Sequence, residues 1–203
     1  MRILALADIH GRKIGKVSYD VDAVFIAGDF TNADDPEFAE EVLEAFDAEI
    51  YAVPGNMDRK GVLDILEKRN VSIHLKTIEL DGIKVVGLGG SNPTPFGTPF
   101  ELSDAEIEKE ISGLCGDIAV FHPPPYGFFD WVRGESVGSK AVRRWMEEKK
   151  PKMLICAHIH EHMGVASYGE TMIVKLGTAM KGSAALIEIG ENFDPVIVRF
   201  VEI

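Results

Sequence analysis

The chain has 203 residues, 46% of them hydrophobic and 27% charged, with a formal net charge of −12. These are ordinary proportions for a soluble globular protein, and the length fits a single domain over residues 1–203 with a sizeable core. The acidic balance leaves no basic footprint for duplex nucleic acid, although metal cations can still draw an anionic substrate to an acidic protein.

The first apolar run, Ile3 to Ala7, reads as a buried strand. It is interrupted at once by Asp8 and His10, so it is not expected to act as a leader segment, and the protein is expected in the cytoplasm. A second strand is predicted over Ala23 to Ala27. Glu37 to Phe46 carries Phe38, Val42, Leu43 and Phe46 at helical spacing. Ile50 to Val53 is a short strand ending at Pro54-Gly55, and Val62 to Arg69 reads as a helix. Val71 to Leu80 and Lys84 to Leu88 flank Asp81-Gly82, a hairpin signal. Ser91 to Pro99 is a proline-rich loop. Ser103 and Glu106 form a capping-box pattern at the start of a helix over Asp104 to Ile111. Ile118 to Phe121 and Met153 to Ala157 are strands on either side of an amphipathic helix, Ser139 to Glu148, which stops before Pro151. Met172 to Leu176, Ala184 to Ile189 and Val196 to Ile203 are further strands. No stretch is apolar for long enough to span a membrane. The two cysteines, Cys115 and Cys156, form no disulfide framework and are expected as small buried hydrophobes.

This order, strand–helix units first and hairpins later, fits two sheets packed face to face with helices outside. Runs apolar throughout, rather than alternating, indicate sheets covered on both faces. The polar residues that punctuate these runs are unusual. Asp8 and His10 follow the first strand, Asp29 the second and Asn56 the third. His122 ends the Ile118–Phe121 strand, and His158 and His160 end the Met153–Ala157 strand. In open α/β sheets ligands bind beyond the carboxyl ends of the strands, so parallel strands would gather all seven side chains. Four imidazoles, two carboxylates and an amide oxygen suit manganese, iron, zinc, nickel or cobalt better than calcium or copper(I). Seven ligands exceed the three of a catalytic zinc and fit two ions sharing a carboxylate.

Asp8-Ile9-His10, Gly28-Asp29, Gly55-Asn56-Met57-Asp58, His122 and His158-Ile159-His160, in this order over residues 8–160, resemble the calcineurin-like metallophosphoesterases. Gly90-Ser91-Asn92-Pro93-Thr94-Pro95, His122-Pro123-Pro124-Pro125-Tyr126-Gly127 and Gly138-Ser139-Lys140 resemble that family's small archaeal and bacterial branch. The resemblance implies an α/β fold, a four-layer α-β-β-α sandwich of two mixed sheets flanked by helices. It implies two divalent metal ions, manganese first among them. One would be held by Asp8, His10, Asp29 and His160, the other by Asn56, His122 and His158, with Asp29 bridging. A hydroxide held between them would attack phosphorus, with Asp29, Asn56 and His122 acting through the metals and by positioning the phosphate. The implied reaction is phosphate-ester hydrolysis, as a phosphodiesterase or phosphatase.

Where Met57 stands, many members carry a His that serves the leaving oxygen. A thioether cannot donate a proton, so no general acid is assigned. Members with Cys at that position resemble phosphodiesterases, which tilts the expectation towards diesters. Leu176-Gly177-Thr178 replaces a frequent Asn-Pro-Gly. The alternative function is a catalytically weak or inactive member of the fold that serves as a binding or scaffold protein. A third reading, a mononuclear zinc hydrolase of the lactamase kind, rests on His158-Ile159-His160-Glu161-His162.

The expected partner is a small phosphate ester, nucleotides included, with no membrane. His74 is expected as a surface or cross-strand residue and His162 at the rim. Arg133, Lys140, Arg143 and Arg144 could attract a phosphate or form a solvated helix face. Phe128, Phe129 and Trp131 could stack a base, pack their loop or form a homodimer contact.

Overall fold

The computed structural model describes residues 1–203. In the first sheet, β1 (Arg2–Leu6), β2 (Ala23–Ala27) and β3 (Glu49–Val53) run parallel. β12 (Ser183–Ile189) and β13 (Val196–Glu202) extend it antiparallel on the β1 side, giving the order β13-β12-β1-β2-β3. The second sheet has the order β10-β11-β9-β6-β5-β4. Its parallel centre is β5 (Ile83–Leu88), β6 (Ile118–Phe121), β9 (Met153–Cys156) and β11 (Thr171–Lys175). Antiparallel strands β4 (Thr77–Leu80) and β10 (Gly164–Tyr168) close its two edges. The strands β7 (Trp131–Val132) and β8 (Glu135–Ser136) form a small separate hairpin.

Side-chain alternation along the strands builds the layers. Ile3, Ala5, Phe25 and Val53 of the first sheet meet Val85, Val120, Ile155 and Val174 of the second in a core between the sheets. Leu4, Leu6, Val24 and Ile26 point the other way. They pack under α1 (Phe38–Leu43) and α2 (Lys60–Lys68) through Val42, Leu43, Val62 and Leu66. On the far side, Leu88, Ala119, Phe121 and Leu154 pack under α3 (Asp104–Ile111) and α4 (Lys140–Lys149) through Ile107, Ile111, Trp145 and Met146. The result is the four-layer α-β-β-α sandwich.

The capping box of α3 forms as its sequence predicts. The Asp104 carboxylate, at the start of α3, also accepts from the Ser139 hydroxyl and the Ala141 N–H, so it joins the starts of the two helices. The helix expected over residues 37–46 is shorter, because residues 45 and 46 turn away to pair with Val17. The strand expected from Val71 keeps only its second half. Ser72 bridges to Ala52 in the first sheet and His74 to Gly87 in the second, so residues 72–74 stitch the two sheets together. Strand β10 and the β7–β8 hairpin were not legible, because their exposed polar and glycine positions break the apolar pattern. Cys156 is buried as expected, whereas Cys115 is exposed. The expectation for Cys115 fails because it lies in the connection after α3 rather than in an apolar element. No helix is long and apolar enough to cross a membrane.

Candidate metal centre

All the parallel strands of both sheets end on one side of the sandwich, and there the chain makes unusual turns. Asp8, His10, Asp29 and His158 all adopt left-handed backbone, with φ of 56°, 49°, 57° and 72°. Asp and His are among the residues enriched in that region, and such conformations cluster at functional sites. The turns hold one another. Asp8 N–H donates to the Gly28 carbonyl, and both Ile9 and His10 N–H donate to the Asp29 carbonyl. A Cβ on Gly55 would lie 2.0 Å from Asp29 Oδ1, so only glycine lets the Asn56 turn approach the Asp29 carboxylate. The Asp58 carboxylate, fully buried, accepts the N–H groups of Phe30, Thr31 and Gly55 and thereby locks the second and third loops together.

The second sheet supplies the histidines. His122 Nδ1–H donates to the Ala27 carbonyl of the first sheet at 2.7 Å, because a carbonyl can only accept. That bond fixes the tautomer and turns the Nε2 lone pair into the site. His158 N–H donates to Asp8 Oδ1 at 3.3 Å, a second tie across the sheets.

Two clusters result. Asp8, His10 and His160 offer three donor atoms within 4.8 Å of one another, and so do Asp29, His122 and His158. Asp29 Oδ2 lies 3.7 Å from His10 Nε2 and 3.5 Å from His122 Nε2, so it stands between them. Its other oxygen accepts the Met57 N–H. Asn56 Oδ1 sits 2.9 Å from His122 Nε2. All seven residues singled out in the sequence are therefore brought together.

The donor set fits cations. Asp8 Oδ2 and His10 Nδ1 are buried with no hydrogen-bond partner, a costly condition for polar atoms. His122 Nε2 and Asn56 Oδ1 face each other as two lone pairs, an arrangement a shared cation resolves. Three carboxylates, Asp8, Asp29 and Asp58, are buried within this small volume. Burial, with the neighbouring Asp58 and Asp8 charges, pushes Asp29 well above the usual carboxylate range. Burial likewise raises Asp58 to about 6 despite the N–H groups it accepts. At Asp8 burial is outweighed by the His160 and His122 rings and the Lys175 ammonium, which hold its carboxyl well below the usual range. Burial lowers His122 to about 4 and His158 to about 3, and it lowers His10 as well. Neutral imidazoles are the state in which histidines accept metal, and a cation binding among the crowded carboxyls would displace the proton that burial favours on Asp29.

The remaining sequence candidates fall elsewhere. His162 is partly exposed and engages the Trp131 carbonyl through Nε2 at 2.7 Å, so its ring belongs to the hairpin rather than to the cluster. Arg143 pairs with Glu147 and lies over the Phe128 and Tyr168 rings, and Arg144 pairs with Glu108. These two form a helix face held by its own neighbours. His74 takes the cross-strand alternative: it bridges to Gly87 of β5 and is half-buried. Its Nδ1 accepts the Gly89 N–H at 2.9 Å, and its ring meets the Phe100 ring edge-on. The physical reason is its place in the stitch between the sheets.

Several contributors escaped the sequence reading. Lys175 is fully buried, donates to the Leu176 carbonyl and places a positive charge near Asp8 and His158. A lone lysine inside the apolar run Met172–Leu176 was the available signal. Thr178 donates its hydroxyl to the Asp8 carbonyl, which gives a role to the segment that replaces Asn-Pro-Gly. Thr98 accepts from the Asn56 amide.

A family model described as calcineurin-like phosphoesterase matches residues 1–162. The chain belongs to that family. An uncharacterized protein of Methanocaldococcus jannaschii is 32% identical over 189 residues, covering 86% of this chain and 87% of that one. A UPF0046 protein of Caenorhabditis elegans is 25% identical over 207 residues, covering 90% of this chain and 71% of that one. Among solved structures, a Thermus thermophilus protein superposes with a TM-score of 0.67 at 16% identity, covering 98% of this chain and 97% of that one. A protein described as a novel archaeal phosphodiesterase gives 0.56 at 14% identity, covering 99% and 100%. The structural likenesses show the fold. With the family come metal dependence and, in this chain, two groups of side chains able to hold metal.

Proposed function

We propose that the protein is a dinuclear metal-dependent phosphoesterase acting on small phosphate esters, nucleotides among them, with a preference for diesters. The observation that carries this reading is the pair of three-residue clusters with the Asp29 carboxylate between them. Asp8, His10 and His160 would hold one ion and Asn56, His122 and His158 the other, with Asp29 shared. Manganese heads the candidates, with iron, zinc, nickel and cobalt behind it, because the donors mix imidazole with carboxylate and amide oxygen. Two such ions would supply a hydroxide nucleophile near neutral pH and neutralise charge on the phosphoryl oxygens. The chain's own part is positioning. Asp58 and the Gly55 turn hold the loops, His122 is aimed by Ala27, and Asp8 is tied to His158. Fixed donors of this kind need no rearrangement as the transition state forms.

The diester preference rests on Met57. Its backbone N–H is committed to Asp29, and its thioether has no proton for a departing alkoxide. Completeness of the ligand set favours the enzyme over a scaffold that kept the fold alone. The experiment is a hydrolysis panel with Mn²⁺, Zn²⁺, Ni²⁺, Co²⁺ and Fe²⁺ on bis-p-nitrophenyl phosphate and p-nitrophenyl phosphate. The expected result is a higher kcat/KM on the diester, greatest with Mn²⁺. A clear monoester preference would overturn the Met57 argument, and no hydrolysis with any metal would leave the scaffold reading in its place.

A further inference from the structure

The Asn56 side chain is gripped from the side opposite His122. Its Nδ2 donates to Thr98 Oγ1 at 2.9 Å. That hydroxyl has one proton, and it lies 2.7 Å from Glu101 Oε1. The same carboxylate oxygen accepts the Thr98 N–H at 2.7 Å and the Thr94 hydroxyl at 2.6 Å. An ionised carboxylate only accepts, so the Thr98 hydroxyl must spend its proton on Glu101 and can only accept from Asn56. Chemistry, not chance, therefore sets which end of the Asn56 amide faces Thr98: the NH₂ does, and Oδ1 is left facing His122. The backbone is held as well, since Phe100 N–H donates to the Asn56 carbonyl at 3.0 Å. Ser91 N–H donates to the Phe100 carbonyl across the base of this loop, and Leu102 N–H returns to the Ser91 carbonyl.

We infer that Thr98 and Glu101 are positioning residues, which lock the Asn56 amide with its oxygen towards the second cluster and so set that cluster's affinity for its metal ion. The inference rests on the dinuclear reading above. Were the amide to turn over, its NH₂ would face the ion, and a group with no lone pair to offer would stand where a ligand is needed. Burial tends to raise the Glu101 carboxyl, but the hydrogen bonds from Thr94 and Thr98 outweigh it and bring it to about 2. Glu101 is thus an acceptor across the whole working pH range. Outer partners of this kind commonly change metal affinity by about 10–100-fold when removed.

The test is calorimetric titration of the metal-free protein with Mn²⁺ for Thr98→Val, Thr98→Ser and Glu101→Ala, with thermal unfolding of each apoprotein. For Thr98→Val and Glu101→Ala, one of the two binding events is expected to weaken by about 10–100-fold while the other keeps its wild-type affinity. Thr98→Ser, which retains the hydroxyl, is expected to restore the wild-type isotherm. A purely structural loop contact would weaken both events together or lower the apoprotein Tm without separating them, and either outcome would overturn the inference, as would an unchanged Thr98→Val isotherm. Since the readout is metal affinity, an inactive wild type that still binds two ions would count against the proposed reaction and not against the clamp. A wild type that binds only one ion would remove the dinuclear basis of both.

Discussion

Asp29→Asn is expected to reduce hydrolysis of bis-p-nitrophenyl phosphate to background and to lower metal binding from two ions per chain, while the apoprotein becomes more stable. The three outcomes share one cause. Asp29 Oδ2 faces a histidine of each cluster, so its charge is the one link that both ions would use. In the apoprotein the same charge is a liability. The group is buried beside Asp58 and Asp8, and burial and those neighbours raise its pKa well above the ordinary value. A carboxyl whose folded pKa is raised holds its proton longer in the folded chain than in the unfolded one. Its contribution to stability is therefore fully present below the unfolded pKa and is lost as pH rises through the folded value. A neutral amide of the same shape escapes that loss and can still accept the Met57 N–H through its oxygen. The check is metal content, diester turnover and apoprotein Tm at pH 7 for the two proteins. Retained activity in Asp29→Asn would sink the two-metal mechanism.

Met57→His is expected to raise turnover of an alkyl phosphate monoester such as glycerol phosphate on the order of tenfold or more, a modest share of what a well-placed general acid can contribute. Turnover of p-nitrophenyl phosphate should change little. The difference follows from the leaving groups. Nitrophenolate departs without a proton, whereas an alkoxide needs one, and the thioether has none to offer. Residue 57 lies next to Asn56, and its N–H is fixed on Asp29, so an imidazole attached there starts from an anchored backbone. Release of inorganic phosphate from the two substrates measures the effect. Equal responses of both substrates, or none from the alkyl ester, would show that the missing proton does not limit the reaction.

How much of this was readable in the sequence depends on what each feature is made from. The four layers followed from apolar runs, because burial on both faces leaves a continuous run and alternation then sorts side chains between inner and outer cores. The seven clustered residues followed from one rule, that polar residues after parallel strands converge at their carboxyl ends. Features lacking an apolar signature were not readable. Strand β10 carries glycine, serine and exposed side chains, and the β7–β8 hairpin has two residues in each strand. The grip of Thr98 and Glu101 on Asn56 reaches across 42 residues of chain, and no local pattern announces such a pair. For His74 the sequence left a surface and a cross-strand place open, and the choice between them is a matter of topology, since the residue crosses between the sheets. Lys175 could have been found, since a charged residue within a buried strand demands a partner or a function.

The most direct test is to add Mn²⁺ in steps to metal-free protein, following metal bound per chain and diester hydrolysis in the same samples. Binding should saturate at two ions per chain, with activity at the first equivalent well below its final value and rising to a plateau only as the second ion binds. Saturation at one ion, or full activity after one equivalent, would contradict the dinuclear centre.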